Sequence, residues 1–196
     1  MRRVVVLGPG GSGKSTLARR LGQLTGLPVI HLDRVYWRPG WVPTPESEWE
    51  AVHRDLTAGE AWIIDGNYGS TVEVRLARAD TVVFLDVPRI VALIGVLRRR
   101  LMYRRRKRPD MAPGCPEKVD WEFLGWVWNY ARRDREPLLA QLADAERRGV
   151  TVHRLRTRRQ MRLFLKALEV DGGQSAGAEP SAATPRRRAR IPNAPP

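Results

Sequence analysis

Apolar residues along the first 170 positions follow two rhythms. Short runs rich in β-branched residues, among them Val4-Val5-Val6-Leu7, Trp62-Ile63-Ile64 and Thr81-Val82-Val83-Phe84-Leu85, are too brief for helices and too uniformly apolar for half-exposed strands. Such runs suit a parallel sheet covered on both faces. The pattern predicts five strands, at residues 3–7, 28–32, 61–65, 81–86 and 150–154. Between them the apolar period lengthens to that of a helix. Leu17, Leu21 and Leu24 recur at i, i+4 and i+7, and Thr44 with Pro45 reads as an N-cap opening a helix that buries Trp49, Val52 and Leu56. Ile90, Leu93, Ile94 and Leu97 mark a helix from about residue 88, and Phe123, Trp126, Val127 and Tyr130 mark another. Thr157 and Gln160 have capping-box spacing ahead of a closing helix that carries Met161, Phe164, Leu165 and Leu168. Strands alternating with helices predict an α/β domain.

The pattern stops near Val170. Residues 171–196 are rich in Gly, Ala, Ser and Pro and hold almost nothing to bury, so they read as a disordered tail behind a domain at 1–170. A length of 196 residues suits one domain, and no apolar run approaches the roughly 18 residues that span a bilayer. The opening apolar run is too short for a secretory signal, so the expected location is cytoplasmic, with no membrane partner. One cysteine, Cys115, excludes an internal disulfide and a cysteine metal site. His31, His53 and His153 have no metal-ligand spacing and read as structural. The net charge of +14 attracts polyanions, which admits phosphorylated small molecules and nucleic acid alike.

Chemistry enters at Gly8-Pro9-Gly10-Gly11-Ser12-Gly13-Lys14-Ser15. This octet fits G-x-x-x-x-G-K-[ST] and lies directly between the first strand and the first helix. Glycines let backbone N–H groups turn inward around a phosphate, and the helix N-terminus adds a partial positive charge. Gly8, Gly10, Gly11, Ser12, Gly13, Lys14, Ser15 and Thr16 are therefore the expected ATP contacts. Lys14 is placed to reach the β- and γ-phosphates, and the Ser15 hydroxyl to ligate Mg²⁺. Asp65 ends an apolar strand, where a carboxylate enters the ligand crevice of an open sheet or merely caps a turn with Gly66. From Arg98 to Arg108, eight of eleven residues are basic and none is acidic, and Arg132, Arg133 and Arg135 follow a proline-containing loop. Tyr36, Trp37 and Trp41 sit in a Pro and Gly loop, either as an acceptor pocket or as ordinary packing, whereas Trp49 and Trp126 read as core.

Trp62-Ile63-Ile64-Asp65-Gly66-Asn67-Tyr68 and Val83-Phe84-Leu85-Asp86-Val87-Pro88 resemble segments of adenylate kinases, in the same order after the P-loop. Further matches are Val29-Ile30-His31-Leu32-Asp33, Tyr36-Trp37-Arg38-Pro39-Gly40-Trp41, Arg108-Pro109-Asp110-Met111 and Gly114-Cys115-Pro116-Glu117. With these, residues 3–168 are similar to the bacterial FlaR-like, or DNA topology modulation, proteins of the adenylate-kinase-related branch. The resemblance implies a three-layer P-loop NTPase fold: a five-stranded parallel sheet in order 2-3-1-4-5 and a helical lid at about residues 98–135. It also implies transfer of the γ-phosphoryl group of Mg·ATP to a nucleotide or other small acceptor. Asp65 then holds Mg²⁺ with Ser15, and Asp33 faces the acceptor hydroxyl or merely forms a turn. One arginine from each side of the lid, Arg99 and Arg132, stabilises the transferred charge, while Asp86 is structural. The alternative is an ATP-binding, nucleic-acid-associated regulator with little kinase activity, using the basic surface and the Arg186-Arg187-Arg188-Ala189-Arg190 stretch. Monomer and homodimer both remain open.

Overall fold

The computed structural model describes residues 1–104, 108–116 and 120–175, so most of the expected tail and its arginine stretch lie outside the described residues. Strands β1 (Arg3–Leu7), β2 (Val29–His31), β5 (Trp62–Asp65), β6 (Thr81–Leu85) and β7 (Thr151–Leu155) form one sheet. Two-residue strands β3 (Trp37–Arg38) and β4 (Val42–Pro43) form a separate antiparallel ribbon. Every pairing in the main sheet is parallel, in the order β2-β5-β1-β6-β7. With the ribbon strands set aside this is the expected 2-3-1-4-5. The labels shift because the ribbon falls between β2 and β5 in sequence. Parallel strands bring all their C-terminal ends to one edge, and the P-loop, Asp65 and the segment after β2 gather there.

Side chains of β1 alternate between two cores. Val4 and Val6 meet Leu17 and Leu21 of α1 (Lys14–Thr25), and the same layer takes in Met161 and Phe164 of α8 (Arg158–Ser175). Val5 and Leu7 belong to the opposite layer, with Trp49 of α3 (Glu46–Thr57) and Leu138 and Leu142 of α7 (Arg135–Arg147). A helix–sheet–helix sandwich results. Among the described residues no helix is long and apolar enough to cross a membrane.

Three local expectations change. Thr44 is not the cap of α3; its buried hydroxyl donates to the Val35 and Tyr36 carbonyls, and Pro45 precedes the helix instead. The second strand ends at His31, so Asp33 lies in the first turn of a short helix, α2 (Leu32–Tyr36). The closing helix continues past Val170 to Ser175.

His53 on α3 is fully buried. Its Nδ1–H donates to the Trp49 carbonyl at 3.0 Å, and its Nε2 accepts from the Thr71 hydroxyl at 3.2 Å. Burial holds its pKa down at about 4, against an ordinary 6.5. Between those values the unfolded chain binds a proton that the folded chain does not, so the stabilisation is complete above pH 6.5 and declines as pH falls towards 4. The loss reaches up to about 3 kcal/mol. Thermal unfolding from pH 7 to pH 4.5 should show the decline, and His53→Gln should flatten it.

Helix α5 (Arg89–Met102) turns a different face inward from the one that marked it in the sequence. Ile90, Ile94 and Leu97 are more than half exposed, while Ala92 and Val96 are buried. A Cβ on Gly95 would stand 2.0 Å from the Gly11 carbonyl oxygen, and one on Gly11 would stand 2.1 Å from the Ala92 carbonyl oxygen. The helix backbone lies directly on the P-loop, an approach open only to small residues. Gly95→Ala must push the two apart, at an expected cost of about 1–3 kcal/mol. Urea unfolding measures that cost, and a parallel nucleotide titration should show weakened binding.

Between α5 and α6 (Trp121–Arg133), residues 111–115 dock onto the ribbon. Gly40 N–H donates to the Gly114 carbonyl at 3.1 Å, and the Cys115 thiol to the Arg38 carbonyl at 3.2 Å. Met111, Ala112 and Cys115 pack against Trp37 and Trp41. Ribbon and lid loop therefore form one wall of the crevice above the sheet edge.

Candidate active site

The loop from Gly8 to Gly13 turns between β1 and α1. Gly13 has φ 98°, and the space where its Cβ would lie is empty within 4 Å. The first turn of α1 carries neither a side-chain cap nor an acidic residue, so its amides and dipole are left for an anion. Gly10, Gly11, Ser12, Gly13, Lys14, Ser15 and Thr16 line a cleft of about 1600 Å³. Gly8 does not. Its N–H donates to Asn67 Oδ1 at 2.9 Å, so it shapes the turn and offers no amide to a ligand. Lys14 lines the cleft, its ammonium donating to the Pro9 carbonyl at 3.1 Å. Burial lowers its pKa, and the carboxylates of Asp65 and Asp33 partly counteract that.

Asp65 closes β5 in register with Val6 of β1 and His31 of β2. Its Oδ2 stands 2.8 Å from His31 Nδ1, which gives His31 a place beside the site that its lack of ligand spacing did not reveal. The other oxygen, Oδ1, is buried and has no hydrogen-bond partner among the described residues. A buried carboxylate oxygen left in this way is costly unless something else binds it.

Asp33 lines the same cleft. Burial raises its carboxyl pKa, although the Tyr68 hydroxyl, which donates to Oδ1 at 2.8 Å, pulls in the other direction. Tyr68 is held from behind by Arg75 of α4 (Val72–Leu76). The fully buried guanidinium of Arg75 donates to the carbonyls of Gly66 at 2.6 Å, of Asn67, and of Tyr68 at 3.1 Å. Burial lowers its pKa to about 9, so it stays charged at neutral pH. One arginine thereby fixes the loop that carries Asn67 to Gly8 and Tyr68 to Asp33. Sequence reasoning missed it, since an arginine in a helix gives no sign that its partners are carbonyls.

The arginine expectations divide. Arg99 lines the cleft, its guanidinium 5.6 Å from the Phe123 ring centroid, and its charge acts on Lys14. Arg132 is exposed and borders a separate depression of about 530 Å³, whereas its neighbour Arg133 lines the main cleft. Successive residues on a helix point about 100° apart, so only one of the pair faces inward. Asp86 is tied to Arg135 at 2.8 Å and Arg154 at 2.6 Å, a structural cluster. Trp37 and Trp41 line the cleft; Tyr36 instead packs with Trp49 and Tyr68. Trp126, expected in the core, is half-buried and lines the cleft near Gly10.

Arg108 and Asp110 are the principal additions. Their side chains are 6% and 8% exposed and joined at 2.7 Å, and both line the cleft. Burial alone would raise the Asp110 pKa, but the Arg108 guanidinium bound to it outweighs that and holds it at about 2. The Arg108-Pro109-Asp110-Met111 motif was visible in the sequence, though nothing in it showed that the pair is buried in the cleft.

These residues fit a magnesium nucleotide. Among the described residues no cluster of three or more His, Cys, Asp or Glu could hold a metal. Mg²⁺ characteristically uses one or two protein oxygens, water and substrate phosphates. The Ser15 hydroxyl and the unpaired Asp65 Oδ1 meet that need, and the open N-terminus of α1 meets that of the phosphates. A single ligand typically fills about 300–1,000 Å³, so this cleft has room for two.

Solved structures with the same fold include shikimate kinase from Acinetobacter baumannii in complex with shikimate, at 19% identity over 91% of this chain and 96% of that chain, TM-score 0.52. Shikimate kinase from Aquifex aeolicus vf5 is 18% identical over 89% and 99%, TM-score 0.50. Shikimate kinase from Bacteroides thetaiotaomicron is 17% identical over 86% and 96%, TM-score 0.50. No protein-family model and no curated protein matches the chain. The chain shares its fold with these structures.

Proposed function

We propose that this chain is an ATP-dependent kinase of a small acceptor carrying a hydroxyl group. One observation carries the reading: a P-loop lysine and a carboxyl with a raised pKa line a single cleft large enough for two ligands. The acceptor oxygen bonds to the γ-phosphorus as the bond from that phosphorus to the β,γ-bridging oxygen breaks. ADP leaves with the bonding electrons, and the hydroxyl proton passes to the Asp33 carboxylate. Tyr68 holds Asp33 by its other oxygen, leaving Oδ2 for the acceptor. Lys14 and Arg99 offset charge on the moving group. Ser15 and Asp65 would hold Mg²⁺, whose chemistry there would be to offset phosphate charge. Trp37 and Trp41 wall the acceptor side against water.

The sequence resemblance to the FlaR-like proteins and the shikimate kinase likeness in fold both support this reading. A screen of nucleoside monophosphates, sugars and hydroxy acids with labelled ATP tests it. At least one acceptor should raise turnover well above slow hydrolysis. If none does, and salt-dependent DNA binding survives Lys14→Met, the nucleic-acid-associated regulator replaces it.

A further inference from the structure

We propose that the outward side of helices α5 and α6 is a membrane-docking surface whose partner is a bilayer containing anionic phospholipids. The proposal goes beyond the kinase reading and stands without it.

Ile90, Ile94, Leu97 and Leu101 follow one another along α5 at steps of four, three and four, so they form one stripe. They are 60%, 56%, 52% and 73% exposed. The stripe is turned away from the P-loop, because Ala92 and Val96 occupy the buried side and Gly95 lies against Gly11. Helix α6 extends the patch. Trp121 and Trp128 stand two turns apart on one side of it, 88% and 42% exposed. Leu124 lies between them on that side and packs against the cluster that holds Ala92 and Val96, while the Arg89 guanidinium of α5 sits 4.1 Å from the centroid of the Trp128 ring. The two stripes therefore adjoin. Large apolar side chains gathered in this way on an open surface mark a site of interaction.

The surrounding charges select the partner. From Val87 to Pro109 the sequence has nine Arg or Lys residues and no acidic one. Arg89, Arg98, Arg104 and Arg132 are exposed beside the stripe residues or within a turn of them. On α6 the acidic Glu122 lines the cleft, as does Asp134 at its end. A second copy of this chain would set these cations against their own kind, with a formal net charge of +14 on each copy. Nucleic acid supplies anions but nothing that buries isoleucine and leucine.

An anionic bilayer supplies both requirements: acyl chains for the stripe, and headgroup phosphates for the guanidiniums, which pair with phosphate through two parallel hydrogen bonds. Exposed indoles suit the boundary between those layers. In the stack of Arg89 on Trp128, the ring enters that boundary while the guanidinium stays with the phosphates. The expectation of no membrane partner rested on the lack of a spanning run, whereas a helix lying in the surface needs only one apolar side. With 14 residues α5 is roughly 21 Å long, too short to cross.

Sedimentation of the full chain with vesicles tests the proposal, using phosphatidylcholine alone and phosphatidylcholine mixed with phosphatidylglycerol. Binding to the mixed vesicles should be at least about tenfold tighter. Ile94→Gln with Leu97→Gln changes exposed positions to a good helix former, so the melting temperature should hold. That variant should lose at least about tenfold in affinity for the mixed vesicles. Bromine on the acyl chains should quench the tryptophan fluorescence of the wild-type chain, and much less that of Trp121→Gln with Trp128→Gln. If the first pair fails to fold, Ile90→Gln with Leu101→Gln should show the same loss of affinity. No binding to the mixed vesicles, or binding that salt abolishes and the Gln substitutions leave unchanged, would overturn the proposal. So would a chain that ignores vesicles yet forms a dimer that Ile94→Gln with Leu97→Gln dissociates, which would assign the patch to a second copy. Binding of a synthetic acidic amphipathic helix through the same residues, with no vesicle binding, would overturn it in favour of an acidic protein partner.

Discussion

Lys14→Met is expected to reduce phosphoryl transfer by at least about a thousandfold, a transition-state loss of about 4 kcal/mol, while the folded chain stays as stable as wild type or becomes slightly more so. The two halves of that expectation have one cause. In the free chain the ammonium of Lys14 is poorly solvated, its pKa is lowered by burial, and its hydrogen bond goes to the Pro9 carbonyl. Keeping a cation in such a place costs folding free energy that methionine, similar in length, does not demand. The γ-phosphate is the group that makes use of the charge. Steady-state rates with the best acceptor, set beside denaturant unfolding of both proteins, measure the two effects separately. A variant that loses activity and stability together would show Lys14 to be structural.

Asp33→Asn is expected to lower turnover by roughly 10² to 10⁴ with Mg·ATP binding unchanged, since the amide cannot take the acceptor proton. The wild-type rate should also reveal the ionisations behind it. Asp33 works as the carboxylate, and burial lifts its pKa above the ordinary 3.8, so activity falls as pH drops through that raised value. Lys14 works as the ammonium, and burial lowers its pKa below 10.5, so activity falls again as pH rises through it. The profile should be a bell narrower than free aspartate and free lysine would give. In Asp33→Asn the acid limb should vanish and the alkaline limb should stay, an outcome that distinguishes a proton acceptor from a residue that merely shapes the turn after β2.

The centre of the sheet was legible in the sequence because β1, β5 and β6 are buried on both faces and therefore almost purely apolar. Val4 to Leu7 and Thr81 to Leu85 need no context to be recognised. The P-loop was legible because its glycines answer a backbone requirement, and the position of Asp65 because it ends an apolar strand at the ligand edge of the sheet. Helix α5 was misleading for a physical reason. Large apolar residues mark a buried face only where packing is side chain against side chain. Where a helix lies backbone to backbone on Gly11, the face turned inward is Ala92, Gly95 and Val96, and Ile90 and Ile94 are left outside.

Arginines posed the opposite difficulty. Arg75, Arg99, Arg108 and Arg132 are one residue type with different surroundings: three backbone carbonyls, an aromatic ring beside the cleft, a buried carboxylate, and an exposed helix face. Composition and spacing carry no information about those partners. Asp110 was hidden in the same way, because nothing in the motif shows that its carboxylate is buried against Arg108 in the cleft.

Calorimetric titration of the folded chain with ATP in excess Mg²⁺ addresses the central claim most directly. One site per chain with a dissociation constant well below millimolar is expected, with the heat greatly reduced when Mg²⁺ is withheld or Lys14 is replaced by methionine. No heat up to millimolar Mg·ATP, from protein shown to be folded, would contradict the account.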